Sequence, residues 1–312
     1  MKKLLMILCI IFCLPANAQE LNIILSSEGD GHSANARIFG KYLAKNISPE
    51  TNVLFKIVPG AAGVNAANYL YNIAPKDGNT IGILFKNIPI IGAIGGSNIN
   101  FDARNFIWLG SVADGRKDAV VLVSNKPYTG DELVVGAESV VSADPINFIE
   151  KYSGLKIKKI TGYQSSNSVR LAYERKEIDA FVSSLQGIKT FRKEWLTSEL
   201  FILQLGNGKI KHLELPNTPT INELIKDEES LKLLTVFESQ FALLRPFVAP
   251  PGVSENKKKE LILAFEKAVN DKNYIKEVAR INLDIDPIYH DEAQKIVDFT
   301  YSASRKILDE IK

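Results

Sequence analysis

Residues 53–85 read VLFKIVPGAAGVNAANYLYNIAPKDGNTIGILF, and their pattern decides the fold. Val53 to Val58 is a short β-favouring run, Val64 to Ile73 spaces its apolar residues at a helical period, and Thr80 to Phe85 is a second short apolar run. Short runs bounded by Gly and Pro read as strands, and the longer periodic segment between them reads as a helix. Strand, helix and strand in that order imply parallel pairing through a right-handed crossover.

The same grammar extends outward. Upstream, Leu21 to Leu25 reads as a buried strand and Ala34 to Ile47 as a helix whose stripe is Ile38, Phe39, Tyr42 and Leu43. After Phe101 the strands come closer together: Ile107 to Val112, Ala119 to Val123 and Leu133 to Gly136. A helix from about Asp144, a strand over Lys156 to Ile160, a helix over Ser168 to Arg175 and a strand over Ile178 to Ser183 follow. Leu213 to Ile225 holds Pro216, Pro219 and the capping-box pattern Thr220-x-x-Glu223, so it reads as a loop feeding a short helix. Arg245 to Val253 is a strand closed by Pro250-Pro251-Gly252, and Ser254 opens a long amphipathic helix.

The first residues carry a different signal. Lys2 and Lys3, an apolar run from Leu4 to Leu14, Pro15 and the triplet Ala16-Asn17-Ala18 form a secretory leader with cleavage expected after Ala18. The run is well short of the roughly 20 residues that span a bilayer. Cys9 and Cys13 both lie inside it, so from Gln19 onward the chain has neither disulfides nor thiolate metal ligands. Ile-Ile-Phe before Cys13 lacks the small residues of a lipidation site.

Losing Lys2 and Lys3 leaves 36 basic against 36 acidic side chains, so no bulk attraction to nucleic acid or anionic membrane is expected. The remaining 294 residues exceed the size at which one core stops growing. The expected architecture is therefore α/β with two lobes: residues 19–120 with a return over 240–312 as the first, and 121–239 as the second.

Two turns at the ends of first-lobe strands are the candidate ligand contacts, because open parallel sheets bind ligands at the carboxyl ends of their strands. One is Ser26-Ser27-Glu28-Gly29-Asp30-Gly31-His32-Ser33, where Ser27, Gly29, Gly31, His32 and Ser33 offer backbone approach, hydroxyls and an imidazole. The other is Pro59-Gly60-Ala61-Ala62-Gly63, whose small residues at a helix start leave backbone N–H groups suited to an anion. Each also reads as an ordinary tight turn. In the second lobe, Ser142 sits in the helix cap Ser142-Ala143-Asp144-Pro145, and Tyr163 and Ser165 in the polar turn Gly162 to Asn167. Capping alone accounts for these equally well.

Other chemistries find little support. Gly29-x-Gly31 continues to Ala34, so the dinucleotide fingerprint is broken, and no phosphate-loop Gly-Lys-Ser/Thr follows. His32, His212 and His290 are scattered without metal-ligand spacing, and Gly-x-Ser-x-Gly is absent.

At these residues the chain resembles the extracytoplasmic solute receptors of tripartite tricarboxylate transporters. The stretch Pro59-Gly60-Ala61-Ala62-Gly63 through Ala74-Pro75-Lys76-Asp77-Gly78 looks like the family's Pro-Gly-Ala-Gly-Gly helix and Ala-Pro-x-Asp-Gly turn. Ala36-Arg37, Gly162-Tyr163, Glu177-Ile178-Asp179, Pro219-Thr220 with Glu223, Arg245-Pro246-Phe247 and Ala249 to Val253 follow in the family's order.

The resemblance implies a class II Venus-flytrap pair of lobes around a ligand cleft. It implies a periplasmic monomer, without catalytic activity, cofactor or metal, that hands a small organic acid to integral membrane transporter subunits. Asp179 joins the candidate contacts on this basis alone. Such receptors hold the carboxylate through backbone amides, hydroxyls and water at the two glycine turns, without an arginine clamp. The chain departs from the pattern at Gly29-Asp30-Gly31-His32-Ser33, where the family has Gly-Gly-Gly-Thr-Asp, so the ligand's identity is not inherited. Two rivals remain: a periplasmic sensor subunit on the same lobes, and a secreted α/β hydrolase.

Overall fold

The structure is a computed structural model that describes residues 19–28, 31–137, 145–163, 166–206, 208–281, 283, 285–303 and 305–311. Its first five elements are β1 (Glu20–Leu25), α1 (Gly31–Ile47), β2 (Asn52–Ile57), α2 (Val64–Asn72) and β3 (Thr80–Ile83). β1 lies between β2 and β3 and runs parallel to both, with Leu21 opposite Val53 and Ile23 opposite Ile81. This is the parallel unit that residues 53–85 call for.

The chain continues through α3 (Ile88–Ile94) and β4 (Ile107–Ser111) and then leaves this sheet. A second sheet is built from β5 (Val120–Ser124), β6 (Leu133–Gly136), α4 (Pro145–Tyr152), β7 (Ile157–Ile160), α5 (Ser166–Glu174), β8 (Ala180–Ser184), α6 (Leu185–Phe191), α7 (Trp195–Ser198) and β9 (Leu200–Leu205). Its strand order is β7-β6-β8-β5-β9, with β6 parallel to both β7 and β8 and β5 antiparallel to both β8 and β9.

Two helices, α8 (Ile221–Leu224) and α9 (Glu228–Ser239), lead back to β10 (Pro246–Ala249). The chain ends with α10 (Glu255–Val269), α11 (Lys272–Ala279), β11 (Ile288–Tyr289), α12 (His290–Ser302) and α13 (Arg305–Ile311). The returning β10 inserts antiparallel between β3 and β4, giving the first sheet the order β11-β4-β10-β3-β1-β2.

Strand alternation gives each sheet two buried faces. Ile23 and Leu25 point into one cluster with Phe39 of α1, Phe265 of α10 and Tyr274 of α11, while Ile24 points the other way toward Leu70 of α2 and Val297 of α12. In the second sheet Leu122 and Val121 divide in the same manner. Phe39 anchors the first cluster, with ring centroids 4.7 Å from Phe247 and 5.1 Å from both Phe265 and Tyr274.

One detail differs from the sequence reading. Thr220 precedes α8, but its side chain makes no capping bond, and its hydroxyl is buried without a hydrogen bond among the described residues. Glu223 pairs instead with Lys211 at 3.2 Å, so the capping box does not close. The last helix, α13, lies in the stretch read as first-lobe return and touches both parts: Arg305 Nη1 donates to the Ile94 carbonyl of α3 at 2.8 Å, while Leu308 and Ile311 pack with Leu234 and Phe237 of the second-sheet cluster. The ion pairs Lys306–Glu229 and Lys151–Glu310 join it to α9 and α4. Among the described residues no helix is long and apolar enough to cross a membrane.

Candidate functional site

The first-sheet side of the site is assembled at the carboxyl ends of β1, β2 and β3. After β2 the chain makes four successive left-handed residues: Gly60 (φ 106°), Ala61 (49°), Ala62 (50°) and Gly63 (88°). Alanine in this region costs about 1–2 kcal/mol per residue, and strained backbone clusters at ligand-binding places. The turn is held by the Gly63 N–H donating to the Gly60 carbonyl at 3.1 Å and by the Asn65 amide donating to the Pro59 carbonyl at 2.9 Å.

Phe85, just beyond β3, gathers both turns. The His32 ring, in the first turn of α1, stands 4.9 Å from the Phe85 ring. A Cβ on Gly63 would come within 2.8 Å of the same ring, so only glycine lets the second turn approach. Ser26 ties the end of β1 to β3, its hydroxyl donating to the Ile83 carbonyl at 3.3 Å. Ser33, next to His32 in α1, is buried.

Next in the chain is Lys86, which lines a cavity of about 540 Å³ formed mainly by the second sheet. The cavity sits where β6 and β8 end: Gly136 and Ala137, then Ser183 and Ser184, form its floor with Asn167 and Arg170 of α5 and Ile188 and Phe191 of α6. Lys86 Nζ lies 4.5 Å above the Phe241 ring. Burial pushes the nearby Asp118 carboxyl up, opposed by the Gln186 backbone N–H (2.9 Å), the Ser184 hydroxyl and the Lys86 charge. Lys86, Asp118 and Ser184 thus form a polar seam from the first sheet to the second.

The second-lobe wall carries two guanidinium groups and one carboxylate between them. Arg192 holds Glu174 Oε1 through Nε and Nη2, both at 2.7 Å, whereas Arg170 Nε is 4.0 Å from the same oxygen. Arg170 lies 4.5 Å over the Phe191 ring, and its Nη2 donates to Asn167 Oδ1 at 2.9 Å. Apolar side chains, among them Phe181, Trp195 and Ile146, complete the wall. A pocket with apolar walls and a few convergent cations suits a small anion with a hydrocarbon portion.

The anticipated residues are distributed unevenly around this geometry. His32 and Gly63 both stand against Phe85, with Gly60, Ala61 and Ala62 in the turn that leads to Gly63, Ser33 next to His32 in α1, Ser27 just past β1 and Gly31 at the start of α1; none of them is among the residues that line the cavity. Tyr163 stands behind the cavity floor, its ring 3.4 Å from where a Cβ on Gly136 would be. Asp179 is placed apart: it precedes β8, accepts from the Val134 N–H at 2.9 Å and pairs with Lys126 at 2.8 Å. Gly29, Ser142 and Ser165 lie outside the described residues.

The sequence reading did not single out Lys86, Arg170, Phe191 or Arg192. Asn167, Arg170 and Glu174 are spaced as a solvated helix face would be, which hid the arginine. The other two histidines are engaged by backbone groups: His290 Nδ1 meets the Trp108 carbonyl at 2.6 Å, and His212 Nδ1 accepts from the Glu214 backbone N–H at 3.2 Å.

No protein-family model and no curated protein sequence matches the chain. Solved structures do match along nearly its full length. A TctC solute binding protein from Polaromonas superposes with a TM-score of 0.63 at 13% identity, covering 95% of this chain and 99% of that one. MatC from Rhodopseudomonas palustris, solved with bound malate, gives 0.64 at 13% identity over 95% and 100% of the two chains. A further R. palustris protein, solved with adipate, gives 0.65 at 15% identity over 94% and 97%. The fold is therefore the two-lobed α/β fold of periplasmic binding proteins.

Proposed function

We propose that this chain is a solute-binding receptor of the tripartite tricarboxylate transporter type, which captures a small organic carboxylate and delivers it to integral membrane transporter subunits. The observation that carries the reading is the cavity, with Lys86 contributed from the first-sheet side and Arg170 and Arg192 from the second. The likeness to receptors solved with malate and adipate supports an acid as the ligand. The leader up to Ala18 supports export to the periplasm.

In this reading residues 19–120 and 240–312 form one lobe and 121–239 the other, with α13 clasping the second from the first. Hinge closure about the two chain crossings brings the strained 60–63 turn over the cationic wall. The protein binds its ligand without transforming it and uses no cofactor or metal.

The test is a thermal-shift screen of residues 19–312 against mono-, di- and tricarboxylates. A ligand at 100 times its Kd stabilises the fold by about 2.7 kcal/mol, so one acid class should raise the melting temperature clearly. No rise with any of them would remove the carboxylate from this proposal.

A further inference from the structure

The cavity wall holds two arginines and a single carboxylate within ion-pair distance of both, and the distribution of that carboxylate is unequal. Arg192 grips Glu174 at 2.7 Å through two nitrogens, leaving Arg170 at 4.0 Å. The Arg170 side chain is only 19% exposed, yet among the described residues it makes one hydrogen bond, to Asn167, and its buried Nε makes none. A guanidinium has five N–H donors in a rigid fork, and one that is mostly buried and mostly unbonded gains strongly from an incoming carboxylate. Stacking on Phe191 and the bond to Asn167 hold the fork in place, so little rotamer freedom remains to be lost on binding.

We propose that Arg170 is a specificity-determining residue that takes one acid group of the ligand directly, next to a wall that favours a plain hydrocarbon body. The wall around it is built from Ile146, Val169, Phe181, Ile188, Phe191 and Trp195. A hydroxyl on the ligand's body set against these side chains, away from Ser183, Ser184 and Asn167 on the floor, would lack a partner, which costs affinity. The ligand class is then a diacid with an unsubstituted aliphatic or aromatic spacer. One acid group lies at the first-lobe turns and the other at Arg170. This rests on the receptor reading above, and it replaces capture by backbone and water alone at the second-lobe end.

The experiment is calorimetric titration of residues 19–312 with α,ω-diacids of four to eight carbons, each beside the monoacid of equal length, and with malate as the hydroxylated diacid. Wild type should prefer the best diacid over its monoacid by about ten-fold or more, the effect of one charge-assisted hydrogen bond. R170Q should bring the diacid down to the monoacid's affinity, a larger loss than the monoacid itself suffers, and R170K should retain part of the preference. Should R170Q not fold, R170K with the same diacid and monoacid pair decides: an undiminished preference counts against Arg170.

A diacid preference that survives in R170Q overturns the inference, as does an equal loss of diacid and monoacid. Malate binding more tightly than the unsubstituted diacid of equal length overturns the hydrocarbon half of it. If no acid binds wild type at all, the carboxylate receptor reading itself fails, an outcome distinct from a failure of Arg170.

Discussion

The two lobes meet the cavity with different materials. On the first-sheet side Lys86 lines the cavity itself, and the candidate turns beside it offer backbone: the positive-φ run from Gly60 to Gly63 and the start of α1, with Gly63 and His32 against Phe85. On the second-sheet side they are side chains: Arg170, Arg192 and Phe191 standing on α5, α6 and the residue after it. Backbone contacts recognise what all carboxylates share, whereas side chains at set positions distinguish one acid from another. In the proposed reading one lobe thus supplies capture and the other selection.

Core truncation tests this division most severely. Phe39 is fully buried among three aromatic rings beneath the strands that place the first-lobe turns. Phe39→Ala should cost about 3–5 kcal/mol in urea denaturation. Phe191 is 55% exposed on the cavity wall, so Phe191→Ala should change stability by no more than about 0.5 kcal/mol while weakening ligand binding. Similar stability losses for the two would erase the distinction between scaffold and selective wall.

Gly63→Ala comes next. At φ 88° the added methyl strains the backbone by about 1–2 kcal/mol and presses on Phe85 at 2.8 Å. Melting temperature and affinity should both fall, and affinity should fall alike for every acid that binds, because a shared contact is lost. A loss confined to one acid would move selectivity into the first lobe.

The shared carboxylate gives a pair of opposite effects. Arg192→Gln releases Glu174 toward Arg170 and should weaken acid binding, whereas Glu174→Gln unburdens both arginines and should strengthen it. Each shift is expected near 1 kcal/mol or less, since these groups are partly solvated. Titration calorimetry at low and moderate salt checks the sign, and changes in the same direction would contradict the electrostatic account.

The smallest effect belongs to Lys126→Ala. Its partner Asp179 tethers the start of β8 through Val134, at the end of the strand away from Ser183 and Ser184. Stability should drop by at most about 1 kcal/mol with affinity unchanged. An altered affinity would return Asp179 to the ligand site, where the family resemblance put it.

How much of this was legible follows from which signals survive in a sequence. The parallel unit from β1 to β3 was readable because alternation and helical period are written directly in residues 21–85. The turns after β1 and β2 were found because glycine marks them. The left-handed geometry of Ala61 and Ala62 was not readable, since alanine gives no sign of positive φ. Arg170 escaped because its neighbours at i−3 and i+4, Asn167 and Glu174, read as a solvated face. Only the fold shows that α6 and Phe191 cover it. Thr220 misled in the other direction, presenting a capping pattern whose hydroxyl makes no cap.

The central claim is that an organic acid is held between a backbone turn of one lobe and a guanidinium of the other. A crystal structure of residues 19–312 with the tightest-binding acid tests it most directly. The account predicts acid oxygens within hydrogen-bond distance of backbone N–H groups at residues 60–63 or at the start of α1, and a second acid group on Arg170. An acid bound outside this cavity, or held within it by one lobe alone, would contradict it.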